Sequence, residues 1–378
     1  MLSYINLGLR IFFGSVAGVL KLGLPMILSS FKRNNGRRQL EYNPKSVELG
    51  ASLFQYTDNK SAGEDNYFID AIITTKDDTK LHAVIDAGQR RKKGKRPIVF
   101  VHGFPELWIS WIDQMEYFAK LGHPVLALNM RGYGKSDKPK GIDNYHLYNH
   151  LVKDIQAAVE YATNELVGKD NIDIKPILVA HDWGASVCWS YACQKQTIDD
   201  NILAGYVSLT IPPPKAFEEN ITLKQVWASL YMIFFNMPWL PEKIFLRNNA
   251  AMIGTIMDDT NRVKPPEFMI NAYRANVLQE GSMEAQLNYY RSVVQQSPKP
   301  GRGDYGTREN RFPLPALIMR GLDDVPLKSD IFRNLGLYLE HFKLVELDNC
   351  SHWIQTDCPE DVNREIEAFL QDLSTSTA

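Results

Sequence analysis

The sequence predicts an α/β protein: a doubly wound, mostly parallel sheet of eight strands with a helical insertion. Three observations carry this. Apolar, β-rich runs recur from about residue 65 with helical stretches between them. The middle runs are continuously apolar, as in strands covered on both faces. Between about 215 and 312 the strand pattern stops and aromatic, helix-like sequence replaces it.

In chain order the strands are NYFIDAIITT, KLHAVIDAG, PIVFVHG, HPVLALNMRG, KPILVAHD, AGYVSLTIPP, PALIMRG and FKLVELDN. Helical segments such as 147–166 and 359–372 separate the later ones. The basic run Arg90–Arg96 falls between two strands and reads as a solvated turn. The insertion closes in the Gly/Pro/charge-rich stretch Pro298–Arg311, an exposed loop by composition. The resulting organisation is a hydrophobic helix with a basic flank at 1–38, a core over 39–214 and 313–378, and a helical cap at 215–312.

The 378 residues suit one elaborated α/β domain. With 44% hydrophobic and 23% charged residues, neither global disorder nor a polytopic membrane protein is expected. A net charge of -2 argues against nucleic acid as a partner. Cys188, Cys193, Cys350 and Cys358 show no metal spacing and are expected to be reduced thiols in a cytosol-facing domain.

Residues 5–31 carry only Arg10 and Lys21 as charges and run into Lys32, Arg33, Arg37 and Arg38. A span needs roughly 20 apolar residues, which this segment reaches only with Lys21 placed mid-membrane. That costs about 2.5 to 3.5 kcal/mol. Wound as a helix, Ser3, Arg10, Lys21 and Lys32 fall on one side, the stripe of a helix lying in the membrane interface. Membrane association through residues 5–31 is expected, with spanning and surface-lying both open. If the segment spans, the basic cluster keeps the large domain cytosolic.

The segment PILVAHDWGASVCW sets Asp182 directly after a strand and directly before a helix, with small Ala180 and Gly184 two residues to either side. A sharp strand-to-helix turn needs small residues there, so that the central side chain projects as a nucleophile. A carboxylate with an ordinary pKa of about 3.9 is already ionised at neutral pH and needs no base to attack. After PALIMRG comes LDD, which places Asp324 at a strand's carboxyl end, with Asp323 as its competitor. After FKLVELDN comes CSHW, which places His352 at the next. Strand ends on that side of an open sheet are where sites form. Upstream, IVFVHGFPE forms a turn from His102, Gly103 and Pro105. There the Phe104 N–H, with that of Trp183, is available to an oxyanion.

Taken together these motifs resemble the epoxide hydrolase branch of the α/β-hydrolases, in particular its membrane-associated animal members. The resemblance covers roughly 65–372 through HGFPELW, RGYGKSDKP, HDWGA, PALIMRGLDD and CSHWIQ. It implies two cap tyrosines that hydrogen-bond the epoxide oxygen, Tyr231 in SLYMIFFNMPWLPE and Tyr290 in LNYYRS. It implies that Asp182 attacks an epoxide carbon to form an alkyl ester, which water then cleaves with His352 as base and Asp324 orienting it. A small lipophilic epoxide and water are the expected partners. The apolar cap residues Trp227, Phe234, Phe235, Trp239 and Leu240 suggest fatty-acid epoxides. The endoplasmic reticulum or another internal membrane is the expected location. No Walker motif, zinc spacing or dinucleotide fingerprint is present, so no cofactor or metal is expected.

Two departures stand out: Asn129 where relatives commonly have Asp, and Ala185 in place of a frequent Gly. The nearest rival is a haloalkane dehalogenase, which uses the same Asp, His and acid. An inactive hydrolase fold serving as a binding protein is another. A serine esterase is disfavoured by Asp182 itself.

Overall fold

The computed structural model describes residues 68–88, 90–167, 174–295 and 304–375. The expected membrane segment at 5–31, within the 1–38 unit, lies outside the described residues, as does part of Pro298–Arg311. Among the described residues no helix is long and apolar enough to cross a membrane.

All eight expected strands form: β1 Phe68–Thr74, β2 Lys80–Asp86, β3 Ile98–Val101, β4 Val125–Leu128, β5 Ile177–His181, β6 Gly205–Leu209, β7 Ala316–Gly321 and β8 Phe342–Leu347. They make one sheet in the order β1-β2-β4-β3-β5-β6-β7-β8. β2 runs antiparallel to β1 and β4, and every other pairing is parallel. Every residue of β3, β4, β5 and β6 is buried, which is why these strands read as unbroken apolar runs. The edge strand β1 is instead only partly buried, with Ile69 and Ile72 exposed. The opposite edge, β8, presents Lys343 and Glu346 to solvent, charges that discourage pairing with another chain.

The winding reverses after β4. The chain steps outward from β3 to β4, returns past β3 to β5, and then proceeds steadily to β8. With right-handed crossovers, the helices before and after that reversal lie on opposite faces. Accordingly, Ile112–Lys120 packs against the last helix, Pro359–Thr375, while Val152–Tyr161 packs against Asp182–Ala192. The switch point falls between the carboxyl ends of β3 and β5, where a ligand crevice opens in such sheets.

Between β6 and β7 lies a helical insertion: Pro214–Glu219, Leu223–Ala228, Tyr231–Phe235, Leu240–Thr260, Glu267–Leu278 and Ser282–Gln295. The helix Leu240–Thr260 is broken at Arg247–Ala250. Asn248 and Asn249 take left-handed backbone, which Asn tolerates better than most residues.

Two expectations are corrected. Cys350 and Cys358 are not separate thiols but a disulfide, because the turn after β8 brings their Cα atoms to 6.4 Å. Cys188 and Cys193 are free and buried. The basic run after β2 is more than a solvated turn. The Arg91 guanidinium bonds the Asp86 carboxylate at 2.6 Å and the Leu166 carbonyl at 3.1 Å, fastening the run to the core.

Candidate active site

Asp182 begins its helix directly from β5 with φ +48, a left-handed conformation unusual outside Gly and Asn. The surroundings enforce it by close approach. A Cβ at Gly184 would lie 2.4 Å from the His102 carbonyl oxygen, and one at Gly103 would lie 2.5 Å from Asp182 Cβ. Only glycine fits at either position, and together they bring the turn after β3 against Asp182. The Phe104 N–H donates to Asp182 Oδ1 at 3.0 Å. Trp183 stands in the first turn of the helix, where an N–H has no intrahelical acceptor. Of the two N–H groups expected at the oxyanion position, that of Phe104 contacts the Asp182 carboxylate directly.

The turn after β3 is fixed by its own polar side chains. The Met130 N–H donates to His102 Nε2 at 3.2 Å, so Nδ1 carries the proton and donates to the Gly103 carbonyl at 2.8 Å. Burial pushes the His102 pKa down to about 4, in keeping with a neutral ring. Pro105 follows through a cis peptide bond.

His352 reaches Asp182 from a distance. β8 lies three strands from β5, about 14 Å at ordinary strand spacing, and the loop after β8 crosses back over the end of β7. A Cβ at Gly321 would meet the carbonyl oxygens of both Cys350 and Ser351 at 2.2 Å, so the loop rests directly on that glycine. His352 Nδ1 lies 2.8 Å from Asp324 Oδ2, and Nε2 lies 3.5 Å from Asp182 Oδ2. Asp324 Oδ1 accepts the Leu327 N–H at 2.7 Å, which holds the carboxylate. Asp323 points away and pairs with Arg262 at 2.6 Å at the surface, so the choice between the two aspartates falls to Asp324.

Burial disfavours charge on both Asp182 and His352. At Asp182 the charge of His352, 3.5 Å away, outweighs it, holding the carboxyl below its ordinary range. At His352 the Asp324 charge and the contact with Asp182 outweigh it, pushing the pKa up to about 10. The His352 ring thus sits between the carboxyl groups of Asp182 and Asp324.

The insertion supplies the opposite wall. The Tyr290 ring meets Trp183 edge-on at 4.8 Å between centroids, Phe104 at 5.5 Å and Tyr231 at 6.2 Å. Phe235 packs on Phe104, Tyr231 and Tyr290, and Phe245 on Phe104 and Phe235. Burial beside the Asp182 charge raises the Tyr231 pKa, and burial beside the Tyr231 and Asp182 groups raises that of Tyr290. Both phenols keep their protons as donors. Tyr289, its neighbour in sequence, also meets Trp183 edge-on at 5.8 Å, but its hydroxyl donates to the Arg131 carbonyl at 2.9 Å. The apolar wall differs from the one composition suggested. Trp227 and Trp239 are exposed, 59% and 62%, and of the expected residues Phe235 packs around the tyrosines, joined by Phe245, Phe104 and Trp183.

Motif reading passed over several supporting groups. His181, just before Asp182, sets Nδ1 2.8 Å from Glu106 Oε2 and Nε2 2.9 Å from the His352 carbonyl. Glu106 also accepts from the Gly103 N–H at 3.1 Å and from Gln355 at 2.7 Å. The only signal was their presence inside HGFPE and HDWG. Asn129, one of the departures, accepts the Trp108 N–H at 2.8 Å and donates to His82 Nδ1 at 2.9 Å. The amide is suited to a position that needs both an acceptor and a donor. Among the described residues no cluster of His, Cys, Asp or Glu has the arrangement of a metal site.

The fold and the turn at Asp182 define an α/β-hydrolase, and residues 96–359 match the family model described as alpha/beta hydrolase fold. Epoxide hydrolase 2 of Caenorhabditis elegans is 31% identical over 284 residues, 73% of this chain and 74% of that one. Epoxide hydrolase 3 of Mus musculus is 29% identical over 291 residues, 74% of this chain and 72% of that one. A crystal structure of an epoxide hydrolase from Bacillus megaterium shares the fold at a TM-score of 0.65 and 24% identity, covering 80% of this chain and 100% of that one. The chain belongs to the epoxide hydrolases within the α/β-hydrolase family, and it is an enzyme that hydrolyses epoxides.

Proposed function

We propose that the enzyme converts lipophilic epoxides to vicinal diols through an alkyl ester on Asp182. One Asp182 oxygen attacks an epoxide carbon and the ring C–O bond breaks. Tyr231 and Tyr290 donate to the departing oxygen, where negative charge develops. Esterification removes the Asp182 charge, and with it part of what holds the proton on His352; that proton passes to the ring-opened alkoxide, giving the first hydroxyl, and leaves the imidazole a competent base. It takes a proton from water while the oxygen adds to the Asp182 ester carbonyl. The resulting oxyanion meets the N–H groups of Phe104 and Trp183, and collapse releases the diol. During that collapse His352 returns its proton to the leaving alkoxide, and the Asp182 carboxyl passes its remaining proton to His352, restoring the starting pair.

The observation that carries this reading is a carboxylate at the strand-to-helix turn, 3.0 Å from the Phe104 N–H and within 3.5 Å of His352. Lipophilic substrates are favoured by the aromatic wall of Phe104, Trp183, Phe235 and Phe245 around the two phenols. The Trp183 ring could also serve a halide-releasing enzyme, so the assay includes haloalkanes. Purified wild type and Asp182→Ala are incubated with a fatty-acid epoxide, an aryl epoxide and a haloalkane panel. Diol from wild type only supports the reading, whereas halide release without diol replaces it with a dehalogenase.

The same reading puts the enzyme at the endoplasmic reticulum or another internal membrane through residues 5–31, with the hydrolase domain facing the cytosol. Its support is the apolar run followed by the basic cluster. The Cys350–Cys358 pair favours the opposite, oxidising face. Protease digestion of intact microsomes decides: loss of the domain means cytosolic, protection means lumenal.

A further inference from the structure

The loop that brings His352 back across two strands is gripped from both sides. On the core side, the His352 carbonyl faces His181 Nε2 at 2.9 Å, and the Asp323 N–H donates to the Cys350 carbonyl at 3.0 Å. On the other side is a single carboxylate. Asp357 ends the short helix Ile354–Asp357 and is buried. Its Oδ2 accepts the Ser351 N–H at 2.7 Å, the residue just before His352. Its Oδ1 accepts the N–H groups of Arg262 at 3.1 Å and Val263 at 3.0 Å.

Arg262 and Val263 belong to the insertion, immediately after its helix Leu240–Thr260. The same stretch makes further ties. Trp353 Nε1 donates to Thr260 Oγ1 at 2.8 Å, and the Arg262 guanidinium pairs with Asp323, next to Asp324. Residues flanking both the acid and the base are thus fastened to one short segment of the insertion. That insertion also carries Tyr231 and Tyr290. Of these ties, only the Asp357 carboxylate is buried and bonded to backbone N–H groups of both parts. Hydrogen bonds to a charged acceptor are the stronger kind.

We propose that Asp357 is a positioning residue through which the seated insertion sets the His352 loop, so that the water-attack step depends on contacts made by the insertion. The inference rests on the two-step reading above. It separates the two halves of the reaction. Attack by Asp182 relies on the turns after β3 and β5 and on the tyrosines, none of which bonds to Asp357. Cleavage of the ester relies on where His352 stands.

The test is single-turnover kinetics on full-length Asp357→Asn and Asp357→Ala, following the Asp182 adduct by mass spectrometry. Asn keeps an acceptor for Arg262 and Val263 but turns an amide N–H toward that of Ser351, breaking the tie on the histidine side alone. Adduct decay is expected to slow at least tenfold in both variants while adduct formation stays within about threefold, so that adduct accumulates. Formation and decay falling together, or a lowered melting temperature with decay unchanged, would overturn the inference and leave Asp357 a structural brace. If Asp357→Ala does not fold, Asp357→Asn alone carries the test. A wild type that makes diol without any adduct, at any time, sinks the two-step reading rather than the role of Asp357.

Discussion

His352 Nδ1 is tethered to Asp324 at 2.8 Å, whereas Nε2 stands 3.5 Å from Asp182, beyond a good hydrogen bond. The ring is anchored by its acid partner and only electrostatically engaged with the nucleophile. Its pKa, pushed up to about 10 in the free enzyme, depends on both carboxylates. Converting Asp182 to an ester removes one of them, so the histidine of the intermediate should titrate well below 10. Adduct decay measured between pH 6 and 10 should rise with pH as the ring loses its proton and then level off. Adduct formation, which needs ionised Asp182 and protonated phenols, should be flat across the neutral range. Decay that ignores pH would remove His352 as the base.

The adjacent aspartates of LDD offer a matched comparison. Asp324→Asn removes the anion bonded to His352 Nδ1 and should slow adduct decay about 10⁴-fold, the loss seen when such an orienting acid is neutralised. Asp323→Asn loses a half-exposed ion pair with Arg262, worth about 0 to 1 kcal/mol, and should leave both steps nearly unchanged. Equal effects from the two would contradict the assignment of Asp324.

Neighbouring tyrosines should separate as cleanly. Tyr290 faces Trp183 and Tyr231, while Tyr289 spends its hydroxyl on the Arg131 carbonyl. Tyr290→Phe should lower the rate of adduct formation about 10²-fold, the usual cost of losing one donor to a developing oxyanion. Tyr289→Phe should cost about 0.5 to 1.5 kcal/mol of stability and little rate. Thermal melts beside single-turnover rates distinguish the two. A slow, fully stable Tyr289→Phe would reverse the assignment.

The eight strands, and the positions of Asp182, Asp324 and His352 at strand ends, are legible because each depends on local pattern. Buried strands are apolar runs, and Asp182, Asp324 and His352 each follow one directly. Of the two aspartates in LDD, only Asp324 meets His352, while Asp323 pairs with Arg262 at the surface. What escaped depends on contacts between distant segments. Nothing in TDCP tells that Asp357 reaches Arg262 and Val263 some ninety residues away. Nothing in PWLP tells that Trp239 turns outward, because composition counts an aromatic residue without giving its direction. The Cys350–Cys358 pair escaped for a related reason: their approach is set by how the loop after β8 folds back over Gly321.

Gly103 tests how tightly the two turns at the switch point must fit. An added Cβ there would fall 2.5 Å from Asp182 Cβ and 2.6 Å from Asp182 Oδ1, closer than two such atoms can stand. The glycine's own φ is not in the left-handed region, so Gly103→Ala carries no conformational penalty of that kind. Any effect must come through contact with the nucleophile. The carboxylate would be pushed off the Phe104 N–H, and the same displacement would shift the Asp182 ester carbonyl in the second step. A misplacement of about 1 Å can cost on the order of 10²-fold in rate, and both adduct formation and decay should fall by about that much. The pattern differs from that expected of Asp324→Asn or of the Asp357 variants, where decay alone slows. Single-turnover rates for Gly103→Ala matching wild type in both steps would mean that the Phe104 turn can move away without consequence. The oxyanion role of its N–H would then have to be abandoned.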